Sequence, residues 1–500
     1  MAAQKSIVLV TVDCLRADHV GFMGYPRPTT PFLDFLAQES LVFPAAIVAG
    51  APTYYSLPAI LASRYPLALG RDVLGLAPDE PTLASALKKS DYATAAFAAG
   101  NPYISPRFGY AQGFDTFRDF LDDERERPAG NSDTGNGWTG RLNQKLQKIN
   151  SGLGSFGAVY NELYFQYCQR VMPEANSLDA LRRFPSAEVL VDEAGKWLES
   201  VGDAPFFLWL HLMDPHAPYY PKQEGFALMD VPPASPSSAR YLNSYWNRSD
   251  IGAGRLRRHR DEIVSLYDAG IRWVDLQMSR LVEKLRLSGQ WDRCIFALTA
   301  DHGEEFLDHD SRFHPPERLM EELIHVPLMM RLPGNVKKEV SVAPFSLLHL
   351  APTLLDAAEL PVPEAFQGRS WLRDNGSADE LAISECVSGC SNPFHAANRI
   401  GPRVLSLREA RFKLVLHFDP VAKALQDLLY DLKSDPKELA PLARHEQKAV
   451  RRRLLEAARE HLQGPIDQRA RMLGRVRELQ LEWKKPANQS APAVSQSASA

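Results

Sequence analysis

Four short apolar runs recur along the chain, and each stops at or beside polar residues. Ile7–Val12 ends in Asp13, and Ala93–Ala98 ends near Asn101. Phe206–Leu210 leads into His211, Asp214 and His216, and Cys294–Thr299 ends in Asp301 and His302. Runs of this length, rich in β-branched and aromatic residues, predict buried strands. Between them apolar positions return at helical spacing over 30–39, 82–89, 186–199 and 256–287. Strands alternating with helices predict an α/β domain whose mostly parallel sheet is covered on both faces. Ligands of such sheets bind outside the carboxyl ends of the strands, where these polar residues cluster.

Beyond about residue 373 the pattern changes. Leu381–Ser384, Arg403–Leu407, Lys413–His417 and Leu428–Tyr430 predict short strands of a smaller second sheet. From Glu446 to Lys485 Arg and Leu recur at helical spacing, broken at Gly464-Pro465. This basic tail reads as a solvated cover on the domain or as a helix pair that takes a protein partner. The Ala/Ser/Pro/Gln-rich end is expected to be disordered. Glu124–Gly157, rich in Gly, Asn, Ser and charge, predicts a surface insertion at about 120–160. The expected division is a catalytic unit over 1–372, a sheet subdomain over 373–445, a helical tail over 446–485 and disorder over 486–500.

Composition narrows the function classes. The chain has 500 residues, 45% hydrophobic and 24% charged, the balance of an ordinary globular protein. Lys and Arg total 57 against 61 Asp and Glu, a net charge of −4, so no nucleic-acid partner is expected. Five cysteines without dense spacing point to a reducing compartment, with Cys386 and Cys390 read as ordinary thiols. Ile7–Val12 is shorter than a secretory core of roughly 7–15 apolar residues. Phe206–Leu210 falls far below the ~20 residues that span a bilayer. A cytoplasmic protein without a membrane span is expected.

Parallel strands would bring Asp13 and the Asp301-His302 pair to one sheet edge. Two carboxylates and an imidazole suit a divalent cation: oxygen ligands favour Ca²⁺, Mg²⁺ or Mn²⁺, and His admits Zn²⁺. Helix caps with an acidic first turn over Asp301–Glu305 read equally well at this level.

The order of motifs adds to this. Val12–His19 followed by Gly24–Pro31, and Thr299–Phe306, resemble the two metal-binding motifs of the sulfatase family in the alkaline phosphatase superfamily. Glu80–Leu87, Phe114–Phe117, Met213–Tyr219 and Glu321–Leu328 follow in the family's order, as do Leu350–Leu355, Phe366–Ser370, Leu429–Leu432 and Asp435-Pro436. The resemblance covers roughly 5–445. It implies a large mixed sheet between helices, alkaline phosphatase-like, with a smaller C-terminal sheet domain. It also implies one divalent metal ion and a nucleophilic oxygen that attacks a sulfate or phosphate ester. By position Asp13, Asp301 and His302 match metal ligands. His216 matches a group that contacts the transferred group or protonates the leaving oxygen. His314 lies near where the family often has a second active-site His, in a different local sequence.

One departure bears on the chemistry. Family sulfatases carry a Cys or Ser that becomes formylglycine, in a Cys/Ser-x-Pro-Ser-Arg motif. Counting back from Tyr65-Pro66 places Thr53 at that position, with Ser56 on the motif's Ser and Leu57 in place of its Arg. Cys14 lies outside any such motif. A threonine is not a substrate for that modification, yet a metal-activated hydroxyl is still a nucleophile. Phosphotransferases and phosphodiesterases of the superfamily resemble this sequence in having Thr there, with Asp13, Thr53, Asp301 and His302 as the implied metal set. Asn101 is then a candidate hydrogen-bond donor to a non-bridging oxygen.

Structural alternatives stand beside these: Thr53 as a helix cap, Asn101 as a turn residue before Pro102, His211 as a satisfied core histidine, Tyr54 and Tyr55 as packing. The leading expectation is a metal-dependent hydrolase or transferase of a phosphate-type ester acting through Thr53. A sulfate-ester hydrolase with unmodified Thr is the second reading, and a pseudoenzyme that binds a partner is the third. The expected substrate is a small-molecule or glycan ester, met by loops such as Glu124–Gly157 and Gln223–Asn247.

Overall fold

The structure, a computed structural model, describes residues 4–70, 73–121, 155–171, 174–316, 318–334, 340, 342–374, 381–389, 402–419 and 424–463. Most of the expected insertion, Cys390 and the chain after 463 lie outside the described residues.

Seven strands form the main sheet: β1 (Ser6–Val12), β2 (Leu41–Val42), β3 (Ala93–Ala98), β4 (Thr116–Arg118), β5 (Phe206–Leu212), β6 (Cys294–Ala300) and β7 (Leu328–Arg331). Their spatial order is β2-β7-β6-β1-β5-β3-β4. Every pairing from β6 to β4 is parallel, and β7 runs antiparallel to both neighbours, so the sheet is mixed. All seven residues of β1, β5 and β6 are buried, and for that reason these strands read as continuous apolar runs without alternation. The four expected strands all form; β5 runs two residues further than expected and takes in His211. The short strands β2, β4 and β7 carried too few apolar residues to stand out.

The helices cover both faces. The longest, Arg260–Leu287, carries Asp261 and Glu262 in its first turn and Lys284 and Arg286 in its last, matching the helix dipole. The helix Ala187–Val201 packs beside it. Its first amide, on Ala187, donates to Asp214 Oδ2 (2.9 Å), while Arg182 donates to Oδ1 (2.7 Å). Asp214, one of the polar residues following β5, is therefore a structural acid. The helix Ser155–Val171 begins where the insertion was expected to end and had no counterpart in the sequence reading.

The small sheet is fully antiparallel: β8 (Ala382–Val387), β9 (Arg403–Arg408), β10 (Phe412–Asp419) and β11 (Ala424–Asp431), in sequence order. A helix over 448–463 lays Leu454 and Ala458 onto Leu405, Leu407, Leu414, Leu416 and Leu429. The described part of the basic tail is thus a cover packed on this sheet. Lys413, fully buried in β10, joins the subdomain to the main unit: its Nζ lies 2.8 Å from Glu438 Oε1 and 3.2 Å from Glu321 Oε1. No helix among the described residues is long and apolar enough to cross a membrane.

Candidate active site

Register builds the site. Val12 pairs with Leu212 on one side and Ala300 on the other, so Asp13, Met213 and Asp301 leave adjacent strands at one level. Asp13 is fixed there by its amide, which donates to the Leu212 carbonyl (2.8 Å). After Asp301 the chain turns away without forming a helix, and Gly303 N donates to the Leu323 carbonyl (2.9 Å). A Cβ on Gly303 would sit 1.9 Å from the Glu322 carbonyl oxygen, so only glycine permits this approach. The acidic helix-cap alternative for 301–305 is not what forms.

Asp13, Asp301 and His302 are fully buried, and their ligand atoms lie within 4.8 Å of one another. His302 Nε2 is 3.5 Å from Asp13 Oδ1 and 3.6 Å from Asp301 Oδ2. With His302 Nδ1 donating to the Gly303 carbonyl (2.8 Å), the Nε2 lone pair faces the two carboxylates. Thr53 joins the cluster, its Oγ1 3.1 Å from His302 Nε2. Thr53 is the first residue of the helix Thr53–Ala62, behind an N-cap of Pro52 that makes no side-chain cap. Its hydroxyl thus faces the cluster, and the cap alternative does not form.

A cation fits this group. Asp301 Oδ2 is buried and accepts no hydrogen bond. Burial, then repulsion from Asp13, pushes the Asp301 carboxyl upward. Burial also opposes the Asp13 charge, but His216, His211 and His302 hold its pKa well below the usual range. Two adjacent buried carboxylates with an orphaned oxygen, a hydroxyl and a lone-pair nitrogen are the donor set of a divalent ion.

Asp13 is braced from behind. Asn101 Nδ2 donates to Asp13 Oδ2 (2.9 Å), and His211 Nε2 lies 3.3 Å from the same oxygen. His211 Nδ1 contacts Thr11 Oγ1 (2.9 Å), which also accepts from Trp209 Nε1 (3.0 Å). His211 is the satisfied core histidine expected, but the partner that satisfies it is Asp13. Asn101 commits one amide hydrogen to Asp13, where the sequence reading aimed it at substrate oxygen. Its side-chain oxygen accepts from Tyr103 N (3.0 Å). Outer-shell partners of this kind tune metal affinity by about 10–100-fold. Asn101→Ala is therefore expected to weaken metal binding by about that factor, measured by titration against a competing chelator.

The cluster opens into a cavity of about 620 Å³ whose wall includes Thr53, Asn101, His216 and His314. Tyr54, Tyr103, Phe184 and Phe313 supply apolar rings, and Arg183 and Arg312 supply positive charge. Tyr54 thus lines the pocket, whereas Tyr55 is packed in the core. The rings of His216 and His314 are 5.2 Å apart, and His314 lies 4.7 Å from His302. His216 Nδ1 is engaged by the carbonyl of Ala217, and burial lowers its pKa. Burial opposes charge on His314 too, but Glu304, 3.5 Å from its Nδ1, carries its pKa above the ordinary value.

Two residues here escaped the sequence reading. Cys14 Sγ lies 3.2 Å from Asp13 Oδ1 and 3.4 Å from His314 Nδ1, held by a backbone φ of 62°. Glu304 is fully buried and neither of its oxygens is hydrogen-bonded. A second acid directly after Asp301-His302-Gly303 was the available signal. Leu57, where the formylglycine motif has Arg, is completely buried among core residues.

A family model described as "Sulfatase" matches residues 5–360, and "N-sulphoglucosamine sulphohydrolase, C-terminal" matches 309–463. Among curated proteins the chain is 27% identical over 281 residues to Arylsulfatase K of Bos taurus, covering 50% of this chain and 51% of that protein. It is 24% identical over 313 residues to Endo-4-O-sulfatase of Bacteroides thetaiotaomicron, covering 57% and 58%. The chain thus spans about half the length of the curated relatives it matches. Among solved structures it resembles a phosphonate monoester hydrolase from Silicibacter pomeroyi, with a TM-score of 0.62, 20% identity, and coverage of 93% of this chain and 96% of that one. The phosphonate monoester hydrolase of Agrobacterium radiobacter gives 0.59 at 20% identity, with the same coverage. The fold agrees with these structures, and a family match spanning most of the chain settles its membership: the protein belongs to the sulfatase family.

Proposed function

We propose that the chain cleaves or transfers an anionic ester through Thr53, with phosphate-type esters as the first substrate class. The observation that carries this is the Thr53 hydroxyl, 3.1 Å from His302 Nε2, on the wall of a cavity that also presents two further histidines and two arginines. Asp13, Thr53, Asp301 and His302 would hold one divalent ion, Ca²⁺, Mg²⁺, Mn²⁺ or Zn²⁺, which when bound neutralises the buried carboxylates and favours the Thr53 alkoxide.

The remaining work falls to side chains. Arg183 and Arg312 attract the anionic ester to the cavity. The aromatic wall holds the leaving group's ring and excludes water. Thr53 Oγ1 attacks phosphorus or sulfur, its bond to the ester oxygen breaks, and the departing oxygen takes a proton. His314, whose charged form Glu304 favours, is suited to give that proton, and His216, whose neutral form burial favours, to orient the transferred group or accept a proton from water. Water or an acceptor alcohol, giving its proton to His216, then displaces Thr53, which leaves as the alkoxide, and solvent carries the proton from His216 and restores the one His314 gave.

The sulfate reading is favoured by the sulfatases among the relatives. The loss of the formylglycine precursor weighs the other way, because formylglycine sheds sulfate by elimination whereas an esterified Thr must be displaced. Parallel turnover assays on aryl phosphodiester, aryl phosphate and aryl sulfate, each with Ca²⁺, Mg²⁺, Mn²⁺ or Zn²⁺, decide between them. The expected result is Thr53-dependent release from a phosphate ester, exceeding release from the sulfate. Faster sulfate release would replace the phosphate reading with the sulfate one. No turnover on any of the three by a metal-loaded protein would leave a binding protein as the better account.

A further inference from the structure

A second group of metal-ligating side chains lies away from Thr53, where the main unit meets the C-terminal subdomain. The ligand atoms of His309, Glu322 and Glu438 lie within 4.8 Å of one another. His309 Nε2 is 3.3 Å from Glu322 Oε2, and these two side chains are each only 9% exposed. Glu438 is fully enclosed. They come from three separate places: the loop after β6, the short helix Glu321–Ile324, and the segment after β11.

An acidic cluster alone would mean little, but a fourth residue bears on this one. Glu305 is completely buried and neither carboxylate oxygen has a hydrogen-bond partner, although the Ser311 hydroxyl stands close enough to favour its charge. Its nearest cation, Arg318, stands 4.0 Å away and is already donating to the His309 carbonyl. Burial, the largest influence, disfavours charge on His309, yet the fields of Glu322, Glu305 and Glu438 together raise its pKa, so these carboxylates face one imidazole. Lys413 compensates Glu438, which it shares with Glu321, and its ion pairs do not extend to Glu305 or Glu322. A buried carboxylate without a partner is strongly disfavoured unless a cation or a proton is supplied.

The cluster also has a route to solvent. Glu322 lines a polar cavity of about 560 Å³ together with Asp18, Asp308 and Glu321. Arg16, Arg260 and Arg408 share that wall, and each is paired with one of the acids.

We propose that His309, Glu322 and Glu438, with Glu305 behind them, form a second divalent-cation site that fastens the loop after β6 to the C-terminal subdomain. One imidazole nitrogen with carboxylate oxygens selects Zn²⁺ or Mn²⁺ over Mg²⁺. Glu438 accepts from Glu321 N through Oε2, while Oε1, in an ion pair with Lys413 Nζ but without a hydrogen bond, keeps lone pairs for the ion. The ion's role is structural, since the loop it holds is the one that leaves Asp301 and His302. The site stands independently of what Thr53 does.

The test is metal stoichiometry on the full chain, stripped with chelator and dialysed against Zn²⁺ or Mn²⁺. Wild type is expected to retain about two equivalents. Asp301→Ala should keep one, and adding Zn²⁺ to the stripped variant should raise its Tm by several degrees. His309→Ala/Glu322→Gln in that background should lose both the ion and the Tm response, which separates this site from incidental thiol binding. Folded Asp301→Ala that binds no metal, or a triple variant that still binds one equivalent, overturns the proposal. If the triple variant does not fold, the Asp301→Ala arm decides by itself. Should Asp301→Ala fail to fold, a wild type holding only one equivalent rejects the second site. Loss of turnover in Asp301→Ala, with its metal and Tm response retained, is the failure of the first site alone.

Discussion

Thr53→Ala is expected to reduce turnover by roughly 10⁴-fold or more, the scale seen when a covalent nucleophile is deleted while binding groups remain. The prediction is sharp because Thr53 has little structural work to do. It caps nothing, and its helix starts behind Pro52. Loss of its hydroxyl and methyl from a nearly buried position should cost about 1 kcal/mol, so the variant should fold with an unchanged circular dichroism spectrum. Thr53→Ser keeps an oxygen at the same place and should retain measurable activity. Wild-type protein quenched during turnover should carry a phosphoryl or sulfuryl group on the peptide containing Thr53, by mass spectrometry. Full turnover in purified Thr53→Ala would sink the covalent mechanism.

Asp301→Asn is expected to release one metal equivalent and to reduce turnover by a comparable factor. Asp301 Oδ2 is buried without a hydrogen bond, and its neighbour Asp13 has the same charge. Without an ion these two carboxylates oppose each other in a medium that screens poorly. Metal therefore stabilises the wild-type fold by mass action, about 2.7 kcal/mol when the ion is present at 100 times its dissociation constant. Neutralising Asp301 removes both the repulsion and the site. Stripping metal should lower the wild-type Tm by more than it lowers that of Asp301→Asn, as read by calorimetry on both proteins with and without chelator. An equal drop in the two proteins would show that Asp301 is not a ligand.

The strands were legible because burial on both faces leaves long apolar runs, a local signal that needs no knowledge of partners. The polar residues ending those runs were legible too, since an Asp or His directly after such a run marks the carboxyl edge of a parallel sheet. Asp214 shows the limit of that signal, for it follows β5 just as Asp13 follows β1 yet holds a helix terminus. The short strands β2, β4 and β7 were missed because two to four residues carry no periodicity.

What the amino-acid order determined by itself is the α/β plan, from its apolar runs, and the family, from the order of its motifs; the resemblance also singled out Asp13, Thr53, Asp301 and His302 as the candidate set. What only the tertiary structure decided is how those groups are held and paired. Asn101 and His211 brace Asp13 across 88 and 198 positions. Glu304 stands against His314, and His309 meets Glu322 and Glu438 from three separate segments. Hydrophobic periodicity is a property of neighbours in sequence. A hydrogen bond or a ligand pair depends on ångström-scale proximity between residues hundreds of positions apart, and only the packed sheet register brings them together.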